Sequence, residues 1–191
     1  MRFTLITSVA VGVVVLAGCD DPNAFRIDPI LVRDTVEVAA PLPNTARLPS
    51  ALDVTGNGTG QITGGRFPER PRDALQWDFV VRVDDGEVVL LPARGLGVLD
   101  SRAALTGPIP GETFASLREA PGQSVFSMTD PVVMRVGNVH VARSRDVSTF
   151  ICTGVQFAKL QPLEVDVATG RLVLEIVTNE RCNDPRLVPD V

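Results

Sequence analysis

The sequence predicts an all-β protein, mainly an antiparallel sandwich or an open barrel, with one short helix besides an N-terminal signal helix. Short alternating runs of β-branched and other apolar residues are separated by turn signals, which is the pattern of strands. Fifteen prolines and sixteen glycines suit a domain with many turns. Outside the leader, residues 110–119 are the best helix candidate, about two turns long, and Pro121 and Gly122 end it.

The N-terminus has the pattern of an export signal. Arg2 precedes an apolar run that is shorter than the roughly 20 residues a membrane-spanning helix needs. The end of this run, Leu16-Ala17-Gly18-Cys19, resembles the lipobox of bacterial lipoproteins. In that family the leader is cut before the cysteine, which is then acylated. The resemblance implies that Cys19 carries a lipid anchor; the alternative is a buried cysteine in a first helix.

These features divide the chain into three parts: a lipoprotein signal peptide (residues 1–18), a lipidated tether (19–28) and a single β-rich domain (29–191). The expected location is outside the inner membrane, lipid-anchored in the cell envelope on the periplasmic face or the cell surface. The chain holds 18 basic and 23 acidic residues, for a net charge of −5. An acidic protein is a poor partner for nucleic acid, whose binding depends on Lys and Arg at the phosphates.

Once Cys19 is assigned to lipid, Cys152 and Cys182 remain. In an oxidising compartment an even pair predicts a disulfide. It would close a loop of about 31 residues and stabilise the fold by roughly 3–4 kcal/mol. The alternative is two free thiols or metal ligands.

Two hairpins are predicted with their registers. Asp85-Gly86 is a type I′ turn signal, which places Val81 opposite Leu90 and Trp77 on the inward face as a core residue, not a platform for ligand stacking. In the last third, a four-residue loop lies between Asp166 and Arg171, which pair. Proline cannot donate to a ladder, so Pro162 predicts a bulge or an edge. In ideal register Cys152 and Cys182 miss each other, so the disulfide needs a bend near Gly154 or residues 183–185.

Catalytic and metal-binding patterns are sparse. His140 is the only histidine, and its pattern predicts a partly exposed structural residue. A nucleophile elbow, a Walker loop and a GxGxxG motif are absent. Residues 53–64 faintly resemble a calcium loop, but Gly64 stands where the bidentate Glu is required. We therefore expect no enzyme activity, no metal and no cofactor; a hydrolase that uses His140 is an alternative.

Several short motifs resemble HmuY-like lipoproteins over residues 75–178. They are Trp77-Asp78-Phe79, Phe114-Ala115-Ser116-Leu117 with Ala120-Pro121, the stretch 137–143, Phe157-Ala158-Lys159-Leu160 and the strand at 170–176. The chain is also similar to uncharacterised envelope lipoproteins that carry the same FAKL hairpin followed by a cysteine. The resemblance implies a β-rich envelope domain.

Some HmuY-like proteins scavenge haem through two axial His or Met side chains. The resemblance implies His140, Met128 and Met134 as the residues to consider for haem, although neither axial ligand of the family maps onto this chain. The leading expectation is an envelope lipoprotein that binds an unknown protein or small ligand and contacts the membrane through its lipid. Haem capture is the first alternative.

Overall fold

The computed structural model describes residues 27–45, 47–148 and 153–189. Cys19 with the leader, and also Cys152, lie outside the described residues. Among the residues described, no helix has the length and apolar character needed to cross a bilayer. The described part of the chain contains two single-turn 3-10 helices, Ala93–Leu96 and Gln123–Val125. The strands are β1 (Leu31–Ala39), β2 (Ala51–Gly56), β3 (Ile62–Arg66), β4 (Phe79–Asp84), β5 (Glu87–Pro92), β6 (Ala104–Thr106), β7 (Phe126–Ser127), β8 (Val132–Val133), β9 (His140–Arg143), β10 (Val147–Ser148), β11 (Thr153–Gly154), β12 (Phe157–Asp166) and β13 (Arg171–Asn179).

Two antiparallel sheets pack face to face. The six-stranded sheet has the order β1-β13-β12-β9-β6-β7, and the five-stranded sheet has the order β3-β2-β4-β5-β8. Strands β10 and β11 form a separate two-stranded ribbon. Neither large sheet closes into a barrel within the described residues. The all-β prediction is therefore confirmed, as the sandwich and not the open barrel.

The main core fills the space between the two sheets. Leu172, Leu174 and Ile176 alternate along β13, and all three are completely buried. They belong to the same apolar cluster as Phe79 and Leu90 of the five-stranded sheet. Burying one such side chain stabilises the fold by roughly 1.5–3 kcal/mol. This alternation therefore fixes which face of each sheet turns inward.

The first predicted hairpin forms in its predicted register. Val81 lies opposite Leu90 in the β4–β5 pair. Asp85 and Gly86 have φ values of +50° and +78°. A type I′ turn needs positive φ at both central residues, so the turn chemistry and the apolar pairing agree.

The last hairpin also forms as predicted. Asp166 lies opposite Arg171, and the register shifts directly after Pro162. The Asp166 carboxylate accepts the Ala168 N–H at 2.9 Å, which closes the loop. Gly170 has a φ of +64°, in the left-handed region that glycine adopts without strain.

The short helix expected over residues 110–119 does not form, so that part of the prediction is wrong. The segment is a series of turns. The Thr113 N–H donates to Ser116 Oγ at 2.8 Å, and the Ser116 N–H donates to Thr113 Oγ1 at 3.1 Å. Such local bonds compete with helical ones. In addition, Lys159 Nζ donates to the Phe114 carbonyl at 2.7 Å, so tertiary contacts satisfy groups that a helix would use.

Trp77 is buried as predicted but does not lie on the inward face. Strand β4 begins only at Phe79, so the alternation does not extend back to Trp77. The indole belongs instead to a small apolar cluster with Val80 and Leu91. Because Val80 alternates with the core residue Phe79, this cluster covers the outer face of the five-stranded sheet.

Candidate functional site

Two buried aspartates share one arginine. Asp53 lies in β2, Asp78 directly precedes β4, and both are completely buried. Arg145 Nη1 lies 2.9 Å from Asp53 Oδ1 and 3.2 Å from Asp78 Oδ1. Arg145 Nη2 lies 3.1 Å from Asp53 Oδ2. Asp53 thus accepts a bidentate fork, the strongest form of the Arg–carboxylate interaction. We call these three residues the Asp–Arg triad.

Further donors satisfy both carboxylates of the triad. Asp78 Oδ2 accepts the Val54 N–H at 2.9 Å, and Asp78 Oδ1 accepts the backbone N–H of Arg145 at 2.7 Å. Asp53 Oδ1 accepts the Thr55 hydroxyl at 2.6 Å. Because these oxygens are occupied by donors of the protein, Asp53 is not the first ligand of a calcium loop.

The environment shifts the ionisation of the triad. Burial, and next the charge of Asp53, raises the pKa of Asp78 to about 7, against the lowering effect of Arg145. Burial lowers the pKa of Arg145, but Asp78 and Asp53 more than offset this, and the net shift is upward. Arg145 is therefore charged at every physiological pH, while Asp78 exchanges a proton near neutrality.

The loop after β9 holds Arg145 in position. The Ser144 N–H donates to the Gln156 carbonyl, and the Gln156 N–H donates to Ser144 Oγ, both at 2.9 Å. Both residues are buried. The main chain around Arg145 is therefore tied to the segment that enters β12, while its side chain reaches Asp53 and Asp78 in or beside the other sheet. The triad joins the two sheets.

A cavity of about 250 Å³ opens beside the triad. One part of its wall is apolar and another part carries polar side chains. The lining residues are Leu75, Trp77, Ala93, Val98, Asp100, Ser101, Arg145 and Asp146. We call it the Trp77 cavity. A largely apolar lining with a few placed polar groups is typical of small-molecule sites.

The rim of the Trp77 cavity is strained and apolar. Leu75 has a φ of +63° and a 66% exposed side chain. Non-glycine residues seldom adopt this conformation, and such strain concentrates at ligand sites. Leu75 therefore adds exposed apolar surface to the wall of the cavity.

A second cavity, of about 300 Å³, lies beside Lys159, the only lysine of the sequence. Its ammonium donates to the carbonyls of Phe114 and Leu117 at 2.7 and 3.1 Å. Nζ also lies 5.0 Å from the centre of the Phe114 ring. Burial, and next the charge of Arg33, lowers the pKa of Lys159. Two backbone carbonyls and the face of one aromatic ring therefore hold this cation.

His140 is completely buried, so the expectation of a partly exposed histidine is wrong. It lies opposite Leu160 and therefore faces the main core. Nδ1 lies 3.1 Å from the Thr106 carbonyl oxygen, and Nε2 has no hydrogen-bond partner among the described residues. Burial lowers the pKa of His140 against the opposing effect of this carbonyl. The hydrolase hypothesis requires that the ring be hydrogen-bonded to both a carboxylate and a hydroxyl. Among the described residues, it is hydrogen-bonded to neither.

The residues considered for haem do not form a site together. Met134 is buried in the main core, and Met128 is half-buried in the loop after β7. Neither methionine, nor His140, lines the Trp77 cavity or the Lys159 cavity. Haem capture needs one or two axial side chains that face a cleft wide enough for the ring. The placement of these three residues does not fit that requirement.

The surroundings of Cys182 contain the bends that a disulfide requires. The Asn183 N–H donates to the Val155 carbonyl at 2.7 Å, so the chain beside Cys182 touches the chain that follows Cys152. Gly154 and Asn183 have φ values of +136° and +62°. Because Cys152 lies outside the described residues, the Cys152–Cys182 bond stays a prediction.

Comparison of the chain with protein-family models, with curated proteins and with solved structures finds no match. The lipobox and the HmuY-like resemblance therefore rest on the short motifs of the sequence alone.

The triad was not predicted. The alternation that puts Trp77 on the inward face of a strand puts its neighbour Asp78 on the opposite face, and nothing in the sequence singles out Arg145. One weak signal was present: Asp53 and Asp78 each stand between two apolar residues, as does the half-buried Asp166 of the last hairpin. A buried carboxylate needs a cation or several donors, so such an aspartate predicts a partner elsewhere in the chain. Within the described residues, no group of three or more His, Cys, Asp or Glu is placed to hold a metal ion.

Proposed function

We propose that this protein is a cell-envelope lipoprotein whose β-domain binds a small ligand in the Trp77 cavity without transforming it. The observation that carries the proposal is the position of this cavity directly against the Asp–Arg triad. Buried ion pairs add little net stability compared with apolar packing, because desolvation offsets their attraction. A triad that joins the sheets and presents Arg145 to a cavity is better explained by ligand binding than by stability.

The anchor in this proposal is Cys19. The lipobox-like stretch 16–19 and the apolar leader support it. Each buried CH₂ of an acyl chain contributes about 0.8 kcal/mol, so several chains hold a protein stably at a membrane. The tether, residues 19–28, would keep the sandwich close to the lipid surface. The proposed Cys152–Cys182 disulfide suits the oxidising side of that membrane.

The absence of catalysis in this proposal rests on the lining of the cavity. Ser101 is its hydroxyl side chain, and Ser101 Oγ accepts the Ala103 N–H at 3.2 Å. Among the described residues, no hydrogen bond joins Ser101 to Asp100 or Asp146. A nucleophile needs such a base within hydrogen-bond reach. The histidine of the chain faces the main core instead.

The anchor is tested by metabolic labelling with an alkyne analogue of palmitate. We expect the label on the wild-type protein in the membrane fraction and its loss in Cys19→Ser. Cys182→Ser is the matched control and should keep the label. Label that persists in Cys19→Ser, or a wild-type protein that remains unlabelled, would remove the anchor from the proposal.

The cavity is tested by native mass spectrometry of the protein purified from its own membranes. Val98 lines the cavity, so Val98→Phe fills part of it. Val136, which is 63% exposed and does not line the cavity, provides the matched control Val136→Phe. We expect a retained small molecule on the wild type and the control and its loss from Val98→Phe. Equal retention by both variants would place binding elsewhere.

A further inference from the structure

Arg145 has hydrogen-bond donors that the protein does not use. A guanidinium carries five N–H groups. Three of them point to Asp53 and Asp78 in the triad. The Nε–H and the second Nη2–H have no acceptor among the described residues. The buried side-chain nitrogens without a hydrogen-bond partner are Arg66 Nε, Arg94 Nε and His140 Nε2 among the described residues. Arg145 Nε does not belong to this group, so it is accessible to solvent.

These two remaining donors lie on one edge of the guanidinium. Nη2 is the amino nitrogen on the same side as the Nε hydrogen, so the two N–H groups point in parallel. A carboxylate accepts such a pair with both oxygens, in the same bidentate geometry that Asp53 uses on the other edge. The open edge of Arg145 is therefore shaped for a carboxylate.

The triad holds this edge still. Asp53 accepts hydrogen bonds from Nη1 and Nη2, and Asp78 accepts one from the side chain and one from the backbone N–H of Arg145. Because both carboxylates are completely buried, the guanidinium plane cannot turn without breaking several charge-assisted bonds. A donor pair fixed before binding loses little entropy when the ligand arrives.

We infer that the Trp77 cavity binds a small organic monocarboxylic acid, whose carboxylate takes the Nε–H and Nη2–H edge of Arg145 and whose apolar body packs on Trp77 and Val98. This inference rests on the proposed function and names its ligand class. The size agrees, because a cavity of about 150 Å³ already holds benzene, and the Trp77 cavity measures about 250 Å³.

Charge around the cavity limits the ligand to one negative charge. Asp100 and Asp146 also line it, and Arg102 pairs with Asp146 at 3.1 Å. A doubly charged phosphate would meet these carboxylates. A monocarboxylate adds only one negative charge beside Arg145. Because burial raises the pKa of Asp78 to about 7, a fraction of the protein molecules near neutral pH has Asp78 protonated, and Arg145 then contacts one charged aspartate, Asp53.

The test uses three probes that share one ring and differ in charge: benzoate, benzamide and benzylammonium. Trp77 is the only tryptophan, so the indole N–H gives a single NMR signal from the cavity itself. Each probe is titrated into the full chain in detergent micelles. We expect a saturable shift with benzoate and at least about tenfold weaker binding of the two other probes.

Two variants locate the carboxylate. Arg145→Lys keeps the charge but removes the fork, and it should weaken benzoate by about tenfold or more while benzamide is unaffected. Val98→Phe should abolish benzoate binding with the triad intact, and Val136→Phe should not, so the inference stays testable if Arg145→Lys unfolds.

The remaining outcomes overturn the inference. Binding of benzamide or benzylammonium as tight as that of benzoate would refute the carboxylate class while leaving the proposed ligand site in place. No binding of any probe would also refute it, and the proposed function would then be judged by the native mass spectrometry described above. A benzoate shift that survives in Val98→Phe would place the acid outside the cavity.

Discussion

Replacing Arg145 by methionine tests whether the triad has the energetics that its geometry implies. The variant keeps most of the side-chain length but removes the cation that the two completely buried carboxylates share. Asp53 keeps Arg66 Nη2 at 3.3 Å, whereas Asp78 is left with no cation among the described residues. Removing one partner of a buried ion pair costs about 3–5 kcal/mol. We therefore expect Arg145→Met to lower the free energy of unfolding by about that amount at pH 8.

The cost should shrink in acid. Burial, with the charge of Asp53, raises the pKa of Asp78 to about 7 in the folded protein, above the roughly 3.9 of an unfolded aspartate. The stability that Asp78 contributes is therefore present at low pH and is lost as the pH rises through 7. Without the lowering effect of Arg145, protonation of Asp78 becomes easier still. Arg145→Met should lose clearly less stability at pH 5 than at pH 8, and adding Asp78→Asn should flatten this difference.

Urea unfolding, followed by the fluorescence of Trp77 at both pH values, measures these effects. Arg102→Met is the matched control, because Arg102 and Asp146 form an ion pair with both side chains 51% exposed. An exposed pair is worth at most about 1 kcal/mol. If Arg145→Met cost no more than Arg102→Met at either pH, the triad would not be a buried charge cluster and the reasoning on Arg145 would fail.

Three further predictions concern the rest of the domain. Burial lowers the pKa of His140 below its ordinary 6.5, so the protein should lose stability as the pH falls below about 6.5, and urea unfolding of His140→Leu should lack that loss. Cys182→Ser should lower the free energy of unfolding by roughly 3–4 kcal/mol if the disulfide forms, and non-reducing peptide mapping of the wild type should show the linked fragments. Leu174→Ala should cost about 2–5 kcal/mol by leaving a cavity in the core, whereas Leu99→Ala, at a 73% exposed position, should stay within about 0.5 kcal/mol.

The sequence predicted those parts of the fold that are decided locally. The β4–β5 register follows from the Asp85-Gly86 turn and from the alternation on either side of it. The bulge follows from Pro162, which has no N–H to donate. In these places the turn residues and the alternating apolar residues lie within about ten residues of each other, so a short stretch of sequence is enough to predict the pairing.

Where contacts distant in sequence decide the structure, local patterns gave the wrong answer. Lys159 donates hydrogen bonds to two carbonyls of the segment 110–119, which local patterns predict to be helical. Alternation assigns His140 the same face as the polar Asn138, two residues earlier, but β9 begins only at His140, so Asn138 does not belong to that strand. The triad joins residues 53, 78 and 145, which no local window contains.

The central claim is that the triad presents the free edge of Arg145 to a ligand in the Trp77 cavity. A crystal structure of the protein with 3-bromobenzoate tests it most directly, because the bromine marks the ring by anomalous scattering. We predict the carboxylate on Nε and Nη2 of Arg145, with Asp53 still on the adjacent Nη1–Nη2 edge and the ring against Trp77. A side chain of the protein on that edge, or bromine only outside the cavity, would contradict the account.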